Sequence, residues 1–283
     1  MSTVRVLVTR PAADAQHWAQ VLRQGGIEAE VFPLIEIASL QPAASMRAIE
    51  QAWLALQSYS ACMFVSGHAV EHFFKQNPLA VHGVRLQDAI DKIASPRFMA
   101  PGPGTVAALL AAGVAPARID APAPDAPQFD SEALWQVIGQ RDWQGRRILV
   151  VRGQSADATP GSSGSSGRDW LARQWAAAGA QVDFLSVYER RPPTLSAAQR
   201  QRAVSASADG SVWLFSSSEA VANLAGMPGM QGLDWSGACA LVTHPRIAAT
   251  VRALGWGVVV ESRPALEDVR QTLGSIESGL NER

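Results

Sequence analysis

Gly145-Arg146-Arg147-Ile148-Leu149-Val150-Val151-Arg152-Gly153, a Gly/Ser-rich gap, Gly167-Arg168-Asp169-Trp170-Leu171 and then Val182-Asp183-Phe184-Leu185-Ser186-Val187-Tyr188 read in order as strand, loop, helix and strand. Ile148–Val151 is an apolar, β-branched run bounded by charge and glycine, as expected of a strand buried on both faces of a parallel sheet. Over Arg168–Ala178, helical spacing brings Trp170, Leu171, Gln174, Trp175 and Ala178 near one face, and Gly179 stands where a helix C-cap belongs. Val182–Tyr188 returns as a second strand. The unit is a β-α-β crossover, right-handed, in a mostly parallel sheet.

The same unit opens the chain. Val4–Pro11 resembles the Arg147–Arg152 strand, a helix carries Trp18, Ala19 and Leu22 and ends at Gly25-Gly26, and Ala29–Glu36 matches Gln181–Glu189. Further repeats follow. Ala61–Val65 ends in Ser66-Gly67-His68 as Ser211–Phe215 ends in Ser216-Ser217-Ser218, which aligns Ser66 with Ser216. Met99–Ala108 parallels Ala240–Ala249. A chain of 283 residues made this way is a duplicated α/β unit of roughly 140 residues rather than a short-period solenoid.

Composition narrows the function. Twenty-four basic and 25 acidic residues, without long runs of either sign, leave a net charge of −1 and no electrostatic footprint for nucleic acid. No apolar run approaches the roughly 20 residues that span a bilayer, and the chain opens on a strand without a signal region. The expectation is a soluble, cytoplasmic protein without a membrane partner. Cys62 and Cys239 sit in apolar strand-like runs and read as reduced, buried thiols. Ser155–Gly167 lacks an apolar anchor and reads as a flexible loop.

In an open α/β sheet the ligand lies beyond the carboxyl ends of the strands, against helix N-termini. There the sequence puts Thr9 and Arg10; Ser66, Gly67 and His68; Gly104 and Thr105; Arg152 and Gly153; Ser216, Ser217 and Ser218; and Thr243 and Arg246. Free backbone N–H groups with Ser, Thr or Arg nearby favour a carboxylate or phosphate. Taken singly, each hydroxyl residue fits an N-cap better than a ligand site; as a set on one edge they point to a binding site for a polyanion. The nucleophile-elbow, P-loop and zincin motifs are absent, and Pro101-Gly102-Pro103-Gly104 is too proline-rich for a dinucleotide fingerprint. His68 and His244 read as polar residues at strand ends rather than metal ligands. Tyr188 reads by itself as a packing residue; as a phenol lining a cleft it could donate a proton.

Val6–Pro11, Pro33–Ile37, Phe64-Val65-Ser66 with Ala69-Val70, Gly102–Thr105, Phe129–Glu132, Arg152-Gly153 with Gly167–Leu171, Val187–Arg190 and Thr243–Ile247 together resemble the uroporphyrinogen-III synthase family, in the right order over nearly the whole chain. The resemblance implies two flavodoxin-like domains with a cleft between them. One would combine residues 1–36 and 190–283, the other would span 40–185, and 33–39 and 186–193 would be linker strands, so the repeat is permuted across the domains. It implies a cofactor-free, metal-free lyase that cyclises hydroxymethylbilane with loss of water while inverting ring D, through an azafulvene and a spiro-pyrrolenine. Tyr188 matches the family tyrosine that helps the terminal hydroxyl leave, and Ser66, Thr105, Ser216 and Arg246 match positions that hold acetate and propionate groups. The enzyme's task is geometric control, because the bilane closes unaided to the wrong isomer. A monomer is expected, with at most transient contact with the preceding pathway enzyme. The sequence departs from the family at His244-Pro245-Arg246 and in the Ser155–Gly167 insertion. The alternative reading is a non-catalytic two-domain binder or sensor of an anionic metabolite or tetrapyrrole.

Overall fold

Short apolar strands buried on both faces, flanked by amphipathic helices, give two parallel sheets. In the computed structural model, which describes residues 4–40, 43–77, 96–156 and 166–281, the chain divides into two compact units, one of Met1–Ile37 with Arg191–Arg283 and one of Ala38–Arg190.

The first unit contains β1 (Arg5–Val8), α1 (Ala12–Gln24), β2 (Glu28–Val31), α7 (Ala197–Ser205), β9 (Val212–Phe215), α8 (Ser218–Gly226), β10 (Cys239–Val242), α9 (Pro245–Ala253), β11 (Val258–Glu261) and α10 (Leu266–Asn281). Its strands lie parallel in the order β11-β10-β9-β1-β2. Period-two alternation sends Val6, Val8, Val212 and Leu214 to a core with Ala15, Leu22, Val269 and Leu273 of α1 and α10. The opposite set, Leu7, Trp213 and Phe215, meets α8 and α9. Trp213, fully buried, is the centre of that face. Its ring meets Phe32, Trp235 and Trp256 edge-on at 5.5–6.0 Å, and its indole N–H donates to Ala206 O at 3.0 Å.

The second unit holds α2 (Ala43–Leu54), β4 (Ala61–Phe64), α3 (Gly67–Lys75), β5 (Arg97–Met99), α4 (Pro103–Ala111), β6 (Ile119–Asp120), α5 (Ser131–Ile138), β7 (Arg147–Ser155), α6 (Ser166–Ala177) and β8 (Gln181–Arg191). With β3 (Glu36–Ser39) at one edge, the strand order is β3-β8-β7-β4-β5-β6. Counted from β7 and closed back onto β4, the five strands β8-β7-β4-β5-β6 follow the order 2-1-3-4-5, which is also that of the first unit. One face packs Met63, Ile148 and Val150 on Leu134, Leu171 and Trp175. On the other, Phe64 meets Phe73, Phe74 and Phe98, and Trp53 stacks on Phe73 at 4.5 Å.

Several boundaries differ from the sequence reading. The Ala29–Glu36 segment is two strands, β2 and β3, where its counterpart β8 is continuous; Pro33 in the gap has no N–H for a ladder. α2 ends at Leu54 with a short 3₁₀ turn at Leu56–Ser58; Ile49 and Trp53 are buried while Met46 is 45% exposed. β7 runs on through Ser155 and α6 starts at Ser166, so both ends of the expected Ser155–Gly167 loop lie in regular elements. Residues 157–165 of it lie outside the described residues. Cys62 is buried in β4 and Cys239 half-buried in β10, both free thiols; burial pushes the Cys62 thiol up and that of Cys239 to about 11.

Candidate functional site

The expected residues fall at the carboxyl ends of both sheets, and the second unit gathers the denser set. After β4 the chain turns into α3 at Ser66, whose extended backbone and hydroxyl make it the N-cap: Ser66 Oγ accepts from Ala69 N–H at 3.1 Å. The same oxygen lies 3.0 Å from the phenolic oxygen of Tyr188 on β8. One hydroxyl therefore ties a helix start to a phenol that is only 3% exposed. The His68 ring stands edge-on to Tyr188 at 6.1 Å, its Nδ1 3.4 Å from Glu71 Oε2.

His72, one turn further along α3, was missed in the sequence. Its ring centroid is 5.5 Å from that of Tyr188 and tilted by 34°. Burial, with the nearby His68 charge, lowers the His72 pKa below the ordinary imidazole value. Its signal was the i, i+4 spacing from His68, which places both imidazoles on one helix face.

Gly153 on β7 is the direct cross-strand neighbour of Tyr188. Gly67 opens α3 beside the first turns of α4: a Cβ there would lie 3.6 Å from Gly104 O and from Ala108 Cβ, an ordinary contact, while Gly104 has open space where its own Cβ would be. Thr105 is buried in the first turn of α4. Arg152, next to Gly153 in sequence, is not brought to Tyr188; its guanidinium stacks over Phe184 at 4.5 Å.

In the first unit the expected residues end three neighbouring strands, β10, β9 and β1. Thr9 is fully buried, and its hydroxyl donates to Leu214 O at 2.7 Å, tying β1 to β9. The expected pairing of Ser66 with Ser216 is corrected. The residue that caps the helix after β9 is Ser217, whose Oγ accepts from Glu219 N–H at 3.1 Å, because β9 begins and ends one position later than the alignment assumed. Ser216 and Ser218 are half-buried on either side of that cap. Thr243 is buried and its N–H donates to Phe215 O at 3.2 Å, while His244 caps α9 by accepting from Arg246 N–H at 3.0 Å. The Arg246 side chain is exposed. Arg10 lies over the Trp18 ring at 4.5 Å and 3.4 Å from Asp14; burial lowers its pKa against the pull of that carboxylate.

Among the described residues no group of three or more His, Cys, Asp or Glu could hold a metal ion, and no helix is long and apolar enough to cross a membrane. The molecule is an α/β protein with parallel sheets that offers helix starts, hydroxyls, glycines and a buried phenol at its strand ends.

Comparison with known proteins makes the class particular. The family model for uroporphyrinogen-III synthase HemD matches residues 16–270, and the chain belongs to that family. Its activity is that of a uroporphyrinogen-III synthase, a cyclising lyase of porphyrin and tetrapyrrole biosynthesis. In fold it is similar to a mutant uroporphyrinogen III synthase from the extremely thermophilic bacterium Thermus thermophilus, at 17% identity and a TM-score of 0.60, over 99% of this chain and 100% of that one. A uroporphyrinogen-III synthetase from Helicobacter pylori aligns over 99% of this chain and 100% of its own at 12% identity, with a TM-score of 0.46.

Proposed function

We propose that the protein converts hydroxymethylbilane to uroporphyrinogen III with Tyr188 as the proton donor and the carboxyl ends of both sheets as the carboxylate-binding surfaces. The bilane's terminal hydroxyl leaves with the phenolic proton as water, producing an electrophilic azafulvene-type carbon. The substituted carbon of ring D attacks it, and after rearrangement the ring system loses one proton, which returns to the phenolate. The balance is one water lost and no change in oxidation state, so the chemistry calls for no cofactor.

The observation that carries this reading is the pairing of Tyr188 with the Ser66 N-cap at 3.0 Å. A phenol held by a helix-capping hydroxyl sits where helix N–H groups favour negative charge, and during hydroxyl departure the charge develops on the phenol oxygen. The substrate's acetates and propionates would be taken by the starts of α3 and α4 and by Arg152 in one unit, and by Ser216–Ser218, Thr243 and Arg246 in the other. In this reading the units are flavodoxin-like domains joined through β3 and the end of β8, supported by the shared 2-1-3-4-5 strand order. A cytoplasmic monomer fits that role.

Steady-state kinetics on single variants test it. Tyr188→Phe is expected to lower kcat with little change in KM, while Arg246→Gln and Arg152→Gln raise KM for the bilane. Unchanged kcat in Tyr188→Phe would remove the phenol from the mechanism.

A further inference from the structure

β7 and β8 pair in regular register up to Arg152 opposite Ser186; the next pair is Gly153 opposite Tyr188, so Val187 is an extra residue on β8. The bulge breaks the two-residue alternation of the strand. Val187 and Tyr188 are both buried. The Tyr188 ring lies against the backbone of Gly153. A Cβ placed on Gly153 would overlap Cε2 and Cζ of that ring and stand 2.8 Å from Arg190 Nη1. Gly153 has no positive φ, so what the position demands is space and not backbone freedom. Gly104, by contrast, has open space where its Cβ would be.

The two neighbours of that missing Cβ differ in how far they can yield. Arg190 Nη1 is the far end of a long side chain and can swing away. The ring is boxed, with its hydroxyl at 3.0 Å from Ser66 Oγ and its flanks against His72 at 5.5 Å and His68 at 6.1 Å. A methyl group at 153 must push the phenol off Ser66 or be refused.

We propose that Gly153 is a positioning residue for the synthase reaction: its absent side chain fixes the depth and tilt at which the Tyr188 phenol meets the substrate. It acts through Tyr188 rather than by touching the bilane. The inference rests on the reading of Tyr188 as the proton donor, and the test separates the two.

Gly153→Ala is made in three backgrounds, wild type, Tyr188→Phe and Tyr188→Ala, and each variant is assayed for bilane turnover and for its melting temperature. In the wild type, Gly153→Ala lowers kcat on the order of 10–100-fold, part of the roughly 100–10,000-fold that a positioned proton donor contributes; on Tyr188→Phe it gives no further loss. Its melting-temperature penalty persists on Tyr188→Phe, which keeps the ring, and disappears on Tyr188→Ala, which removes it. That stability pattern is readable even for a variant too distorted to turn over. An equal penalty on Tyr188→Ala, or losses of turnover that multiply on Tyr188→Phe, would overturn the positioning role. If the stability pattern holds but neither Gly153→Ala nor Tyr188→Phe slows turnover, the proton-donor reading falls and the positioning role in catalysis falls with it, leaving only a packing contact.

Discussion

Replacing Ser66 by alanine should cost more than removing the Ser217 cap, because the Ser66 oxygen has two partners. The first is the Ala69 N–H at 3.1 Å, an N-cap worth about 1 kcal/mol. The second is the Tyr188 hydroxyl at 3.0 Å on a residue 3% exposed, and leaving that group unpaired costs about 1–3 kcal/mol. Together the loss is about 2–4 kcal/mol. Ser217 is the built-in control: it caps α8 through Glu219 N–H at 3.1 Å, so Ser217→Ala should cost only about 1 kcal/mol. At about 2–4 °C per kcal/mol for units of this size, calorimetry should separate the two variants by several degrees. A double-mutant cycle of Ser66→Ala with Tyr188→Phe isolates the shared bond, with an expected coupling of about 1 kcal/mol. Equal destabilisation by Ser66→Ala and Ser217→Ala, or additivity of the cycle within about 0.5 kcal/mol, would refute the claim that this hydroxyl holds the phenol.

Other consequences follow from packing and charge. Trp213→Ala opens a hole among Phe32, Phe215, Trp235 and Trp256 and should cost about 3–5 kcal/mol by urea denaturation. Gly179→Ala and Gly255→Ala should each cost about 1–2 kcal/mol in thermal melts, because both have a left-handed φ, +83° and +80°, and the Gln144 amide that a Cβ at 179 would overlap is the free end of an exposed side chain. Burial would push the Asp120 carboxyl up, yet hydrogen bonds and charge from Arg141 and Arg97, at 2.6 and 2.7 Å, outweigh it and hold its pKa below the ordinary value. Its contribution to stability is then present above the unfolded carboxyl's pKa of about 4 and is lost as pH falls through the lower folded value. The Asp120→Asn variant should therefore lose less stability than wild type on acidification below pH 4 in acid-unfolding titrations.

The sequence carried the β-α-β units because their signal is periodic: Ile148–Val151 and Val212–Phe215 are unbroken apolar runs, and Gly25-Gly26, Gly113, Gly179 and Gly255 mark helix ends. It carried the edge at which the ligand groups collect, because in a parallel sheet every strand ends on the same side. Orientation was not legible. Thr9 has the right type and place for a ligand, yet its hydroxyl turns into the sheet toward Leu214, and nothing local distinguishes that choice. The bulge at Val187 was invisible because Val and Tyr in succession fit a buried strand equally well. The one-residue offset of the cap, Ser217 rather than Ser216, was hidden in a run of three serines whose chemistry is identical. His72 was passed over because its i, i+4 spacing from His68 shows only that the two imidazoles share a helix face, not that the face meets the Tyr188 ring on β8.

The most direct test of the account is to supply freshly generated hydroxymethylbilane to the purified protein, oxidise the products and separate the uroporphyrin isomers by chromatography. The account predicts predominant isomer III at catalytic amounts of protein; isomer I alone, formed at the rate of the protein-free control, would contradict it.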